Sequence, residues 1–415
     1  MRVFRSQIAG GAARAIGLYA AAGLAVSVVG FFALPVFTRL FTPGEFGVIG
    51  LFTAAVGALV PVISLGSYVY ILYDRAETHP AGVPSAVLVV ATLGAGVAFA
   101  AGVVLALVTD LPPALVVAAV ATAWANVWIA VRLHAFQAMN RPGRYFALSA
   151  LPPVVALVMT VLLARGMDGW TPRVVALLLT AVASAVWSTW SLQHAQLIDW
   201  REAVSRVRAV VRFGAPIVVH TASIWVVGFT DRFIVAAIEG IGDAGIYTVA
   251  YSVGLGVAAL HEGVARYFAS RLPTWSESPE GHIAATRFSR WYSIAALVSA
   301  PLAVIGSVLL LQLLVSSDYS SAAGLLVWLV PAQTLAGIAR VHNGYLYVDG
   351  RTGQRAVMSL TEAVFNVAAT WLLVTMVGTV GAAIGTAATY AVSVVGTVWL
   401  ARSTSMRKSV THRVI

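Results

Sequence analysis

Apolar residues in this chain come in long blocks that hold few charges, separated by short polar or proline–glycine breaks. The blocks fall near residues 16–38, 46–73, 84–108, 114–139, 145–164 and 174–192, then near 214–238, 245–266, 291–314, 322–348, 356–376 and 379–401. A hydrocarbon core about 30 Å thick takes about 20 residues of helix to cross, and the blocks meet that length. In lipid a backbone must bond within itself, so helices are predicted rather than isolated strands. Turn formers mark the tightest breaks, at Thr42-Pro43-Gly44, Pro112-Pro113, Arg141-Pro142-Gly143 and Asp349-Gly350. The pattern predicts an all-α integral membrane protein of about twelve transmembrane helices in two pseudo-symmetric six-helix lobes. The expected divisions are residues 1–192, a cytoplasmic linker 193–213, a second lobe 214–401 and a basic tail 402–415. In the linker, Trp200, Val204, Val207 and Val211 oppose Arg201, Arg208 and Arg212 at helical spacing, which predicts an amphipathic helix on an anionic leaflet. The polar stretch Ser270–Phe288 reads as a plain loop.

The basic residues orient these spans. With the N-terminus cytoplasmic, 20 of the 26 Lys and Arg fall in inner loops and tails, while the outer loops keep Arg39, Arg165 and Arg173. Such asymmetry predicts both termini on the cytoplasmic side of the membrane. The first apolar block follows Arg2, Arg5 and Arg14 like a signal peptide, but its length of about 20 residues predicts a retained helix. The outer loops are all short.

Composition agrees and narrows the classes. The chain is 60% hydrophobic and 10% charged with a mean hydropathy of +0.88, against about 25% charged in soluble domains. It has no cysteine, so thiolate chemistry, disulfides and cysteine-ligated metals are excluded. The net charge of +10 is placed by topology and calls for no nucleic-acid partner.

Charge inside the apolar blocks is the candidate chemistry. Asp231 and Arg232 are consecutive within a run that is otherwise apolar from Ala215 to Ile238. An embedded charge costs roughly 2.5–3.5 kcal/mol on insertion scales, so each needs a partner or water. Consecutive residues point about 100° apart on a helix, which predicts a helix bordering a wet cavity, with ion pairs to neighbouring helices as the plainer alternative. Helix 4 carries a stripe of Asn126, His134, Gln137 and Arg141, with Arg132 on another face, four residues after Trp128 and in reach of its indole. Glu262 and Arg266 stand i,i+4 in the order that favours a local pair. His261-Glu262 begins like a zinc-hydrolase motif, but Ala265 holds the second ligand position. Arg340, Glu362 and Asn366 complete the embedded set. Arg39 before Glu45-Phe46-Gly47 and Arg232 before Asp243-Ala244-Gly245 form a faint repeat, an arginine followed by acid-x-Gly opening the next helix. Two six-helix halves in one orientation predict parallel repeats.

The segment Phe37-Thr38-Arg39-Leu40-Phe41-Thr42-Pro43-Gly44-Glu45-Phe46-Gly47 resembles the helix 1–2 turn of O-antigen-type polysaccharide flippases. Asp231-Arg232-Phe233-Ile234 through Gly245-Ile246-Tyr247-Thr248-Val249-Ala250-Tyr251 resembles their helix 7–8 region, and Glu362 to Tyr390 their last two helices. The resemblance implies two six-helix lobes of the multidrug/oligosaccharidyl-lipid/polysaccharide exporter superfamily. It implies alternating access that moves an undecaprenyl-diphosphate-linked oligosaccharide across the membrane, no enzymatic activity, and glycan polymerase machinery as a partner. Arg232, Arg340, Arg132, Arg39 and Asp231 are the expected substrate contacts; Arg132 and Arg340 enter on embedded charge alone. Glu262, Asp231 and Glu362 are the candidates for coupling to H+ or Na+, with no other cofactor and no metal expected. A drug exporter of the same fold and a polytopic glycan polymerase or ligase are the alternatives. The first calls for a net acidic lumen, the second for a large outer loop.

Overall fold

The computed structural model describes residues 2–72, 82–109, 112–194 and 198–411, with side chains left undescribed near both ends. Twelve α-helices follow one another among these residues. They are α1 (Arg2–Leu40), α2 (Pro43–Ser64), α3 (Gly82–Val108), α4 (Pro113–Ala138), α5 (Pro142–Leu163) and α6 (Thr171–His194). The second set is α7 (Trp200–Ile238), α8 (Ile241–Trp275), α9 (Pro279–Leu314), α10 (Ala322–Val348), α11 (Thr352–Val377) and α12 (Thr379–Thr411). Each contains a stretch long and apolar enough to cross a bilayer, so the chain is a multi-pass membrane protein.

Two expectations for the inner segments change. The polar stretch Ser270–Phe288 is helical except for residues 276–278, because α8 continues to Trp275 and α9 restarts at Pro279. Ser278 caps that restart by accepting from the Gly281 N–H, and Pro279 takes the first position, where its missing N–H is harmless. The linker is likewise no separate element. Asp199 caps α7 by accepting from the Arg201 and Glu202 N–H groups, and the helix runs unbroken from there into the membrane. Ala203 and Val210 are buried and Val207 and Val211 pack beside them, while Trp200 and Val204 stay exposed.

The chain forms two compact units that divide it differently from the sequence halves. The first takes the residues up to Ala33 with Val48–Trp225; the second takes Leu34–Gly47 with the residues from Val226. In the first unit a core of Val, Ala, Leu and Trp side chains runs between α3, α4 and α6, and Trp225 donates its indole N–H to the Ala54 carbonyl.

The second unit holds the α1–α2 turn against the start of α8. A Cβ on Gly47 would lie 2.0 Å from the Ile241 carbonyl oxygen, and one on Gly245 would lie 1.9 Å from that of Pro43. The two acid-x-Gly repeats therefore meet each other, each glycine seated on the backbone two residues before the other's acid. Thr42 and Glu45 form a reciprocal capping box, with the Glu45 carboxylate accepting from the Thr42 N–H at 2.8 Å. Asp243 instead accepts from the Thr379 hydroxyl at the head of α12. Gly240, at φ +103°, supplies the left-handed backbone that lets α7 turn directly into α8. Tyr319, from the α9–α10 connection, donates to the Phe41 carbonyl at 2.7 Å. Burial, with Glu45 and Asp318 nearby, pushes the Tyr319 hydroxyl well above its usual pKa, so it stays a donor.

Candidate functional site

Asp231 is 0% exposed, at the meeting of α7, α8 and α12. One carboxylate oxygen accepts from the Tyr247 hydroxyl at 2.6 Å, and the other from the Arg232 backbone N–H at 2.9 Å. Thr386 lies 3.3 Å from the same tyrosine oxygen, so α12 closes the group. The Arg232 guanidinium reaches Asp231 only at 3.9 Å. It is held instead by the Gly228 carbonyl at 2.9 Å and lies over the Tyr251 and Phe229 rings, 4.4 and 4.9 Å from their centroids. Here the wet-cavity expectation is corrected. The two side chains do point apart, but each finds protein donors, acceptors or ring faces, and neither needs water.

Beside this group the facing sides of α11 and α12 are polar. Asn366 donates to Thr389 at 3.1 Å, while Asn366 Oδ1 and Thr370 Oγ1 are buried without a hydrogen-bond partner. Thr370 and Gly385 touch closely, since a Cβ on Gly385 would sit 2.8 Å from the threonine oxygen. Oxygens of this kind suit a hard cation or a water. Among the described residues no group of three or more His, Cys, Asp or Glu is placed to hold a metal ion.

A second constellation joins α8 to α10. The local Glu262–Arg266 pair forms at 2.8 Å, and Arg340 approaches the other Glu262 oxygen at 3.7 Å. Two guanidiniums thus share one carboxylate. Their side chains are 52% and 38% exposed, which leaves donors free for an anion. His261, one residue before, meets the Tyr292 hydroxyl at 2.9 Å, so α9 abuts the same place.

The remaining expected residues lie apart from these groups. Glu362 forms a buried pair with Arg355 at 3.2 Å, two helical turns earlier on α11. Sequence sorting puts Arg355 in an inner loop, but α11 begins at Thr352 and turns it inward. The signal was the seven-residue spacing, which returns a helix to nearly the same face. Arg132 is 3% exposed in the first unit and stacks on Phe136 at 4.0 Å, four residues after it, rather than on Trp128. Its Nε and Nη1 and the Trp128 indole nitrogen are buried without hydrogen-bond partners. Arg39 is exposed and donates to the Pro35 carbonyl at 2.7 Å, satisfying the end of its own helix. On the α4 stripe, His134 bonds the Ala130 carbonyl and packs on Tyr68, while Gln137 is exposed. Sequence reasoning missed Tyr247, Tyr251 and Thr386 as partners of the embedded pair, because a tyrosine or threonine in an apolar block carries no insertion penalty that draws notice.

Residues 12–266 match a family described as polysaccharide biosynthesis protein. No curated protein sequence matches the chain. Among solved structures, a lipid II flippase, MurJ, in an inward closed conformation aligns with a TM-score of 0.76 at 11% identity, over 93% of this chain and 87% of that one. An inward-facing multidrug resistance MATE family transporter of the MOP superfamily aligns at 0.70 and 14% identity, covering 93% and 96%. An outward-facing conformation of such a transporter aligns at 0.62 and 16%, covering 95% and 96%. At these identities the likeness shows the fold, which is that of MOP-superfamily transporters.

Proposed function

This chain belongs to the polysaccharide biosynthesis protein family and has the MOP-superfamily fold, and on that premise we propose that it is a flippase for a lipid-diphosphate-linked oligosaccharide. The observation that carries the reading is the Glu262–Arg266–Arg340 group, two part-exposed guanidiniums around one carboxylate toward the C-terminal ends of α8 and α10. Its net charge is positive, which attracts a diphosphate and repels the cationic drugs that many exporters carry. The long 3.7 Å contact to Arg340 is the one an incoming phosphate displaces, exchanging a weak pair for forked, charge-assisted bonds.

In this reading the substrate binds at Arg340 and Arg266, and the Asp231 group couples movement to an ion. Among Glu262, Asp231 and Glu362, only Asp231 joins three helices while lacking a close ion pair. Protonation of Asp231, or Na+ beside it with the Asn366 and Thr370 oxygens, loosens or tightens the junction of α7 with α8 and α12. Arg232 acts as a clasp on Tyr251 rather than a direct substrate contact in this conformation.

The test is made in cells whose glycan export depends on this protein. The Arg340→Ala and Arg266→Ala double variant should accumulate lipid-linked precursor in the inner leaflet at parental protein abundance, with lysine at both sites restoring export in part. Export at the parental rate by the alanine variant removes the proposed phosphate site. Gain or loss of dye efflux with no change in glycan export supports the drug-exporter alternative instead.

A further inference from the structure

A cavity of about 610 Å³ lies in the second unit between α9, α10 and α12, and none of its lining residues belongs to either group above. That size is within the range of about 300–1,000 Å³ common for small-molecule sites. Its lining changes character along the helices. At one end stand His282, Thr286 and Arg290 of α9 with Tyr345 of α10 and Asp349 just past its end. One to two turns further along come Ser293 and His342, 3.3 Å apart. Beyond them the wall is hydrocarbon, from Ile294 and Leu297 of α9 with Leu335 and Ile338 of α10, while Val394, Val398 and Ala401 of α12 close the side that faces the polar end.

From His282 to Leu297 the lining follows α9 for 15 residues, about 22 Å at the helical rise. Arg290, Ile294 and Leu297 are exposed while Ile338 is buried on the floor, so the site is a cleft with open flanks on a membrane-spanning surface. We propose that this cleft binds a membrane amphiphile by a phosphate head and one flexible chain. The head lies against Arg290, His282 and His342 with the serine and threonine hydroxyls, and the chain lies along the aliphatic wall.

Three features favour this occupant. The polar donors gather at one end, as a headgroup requires, where a soluble ligand would be enclosed by them. Arg290 offers a planar fork matched to phosphate, and one carboxylate, Asp349, lines the cavity against it and the two histidines. The polar end lies where α9 begins and α10 finishes, the end that the arginine asymmetry assigns to the cytoplasmic leaflet. There it meets phospholipid heads at bilayer depth. None of this depends on the transported substrate, so the proposal stands apart from the flippase reading.

The experiment uses the full chain, purified in detergent and titrated with phosphatidylglycerol while bound lipid is counted by native mass spectrometry. The Arg290→Gln/His342→Gln variant should retain the lipid at least fivefold less than the parent. Leu335→Trp, which fills the aliphatic end from α10 without touching the polar end, should reduce it similarly. Millimolar inorganic phosphate should not displace the lipid, because the chain supplies part of the binding. Unchanged retention in both variants overturns the proposal. So does displacement by inorganic phosphate alone, which identifies a free-phosphate site, or equal retention by the parent of a diacylglycerol with the same chains, which identifies a chain groove indifferent to the phosphate head.

Discussion

Gly47 and Gly245 are seated on each other's helix: each lacks the Cβ that would strike the backbone carbonyl of the other's hairpin, at 2.0 and 1.9 Å respectively. The α8 arm of the Asp231 group starts at this crossing, since Tyr247 follows Gly245 by two residues. Gly47→Ala or Gly245→Ala should lower stability by about 1–3 kcal/mol, the usual cost of overpacking where backbone must move. Because both substitutions push the same two helices apart, the double variant should cost less than the sum of the singles. Thermal unfolding in detergent, followed by tryptophan fluorescence, checks both statements. Additive losses mean the two contacts are independent.

Asp231 and Arg232 should not tolerate exchange. An arginine at 231 would face the Tyr247 hydroxyl and Thr386 with no carboxylate in reach, and an aspartate at 232 would lie against the faces of Phe229 and Tyr251. The Asp231→Arg/Arg232→Asp protein is expected to lose transport entirely. Restored export at parental abundance would show that the two charges act only as a local pair.

Tyr247→Phe separates the hydrogen bond from the packing, because the ring stays and only the hydroxyl goes. Removing it takes the 2.6 Å donor from a buried carboxylate oxygen, a loss of about 1–3 kcal/mol. Transport should fall while insertion is kept, and the pH dependence of export should move, because Asp231 then loses a donor to its charged form. An unmoved pH profile in Tyr247→Phe would remove Asp231 from the coupling role.

Arg355 and Glu362 make the opposite kind of prediction. Glu362→Gln strands a buried guanidinium and should destabilise by about 3 kcal/mol. Arg355→Met with Glu362→Leu removes both charges and should return stability close to the parent. If the double variant folds and exports as the parent does, Glu362 is structural and leaves the list of coupling acids.

Topology is checked with fused reporters. Reporters after Ile415 and within 193–213 are expected on the cytoplasmic side, and those at Thr42 and Asp318 outside. An external C-terminus would reverse the assignment of the phosphate-head cleft to the inner leaflet, along with the orientation of every loop.

The number of helices and their apolar stretches were legible in the sequence, because hydropathy sums over about 20 residues and lipid reads that sum regardless of neighbours; their ends were not, since α2 stops at Ser64 rather than 73 and α7, α8 and α9 run past their expected inner ends. The acid-x-Gly repeat was legible too, although its purpose was not. What each embedded charge faces was decided only by the tertiary structure. Asp231 meets Tyr247 and Thr386 across 16 and 155 residues of chain, and such a contact depends on how α7, α8 and α12 are rotated about their axes. That rotation is set by close backbone approaches such as Gly47 on Ile241, where a missing side chain, silent in any hydropathy pattern, chooses the face. For the same reason Arg132 could be named as buried but not assigned to Phe136 over Trp128. Both rings lie one turn away in sequence, and only packing selects between them.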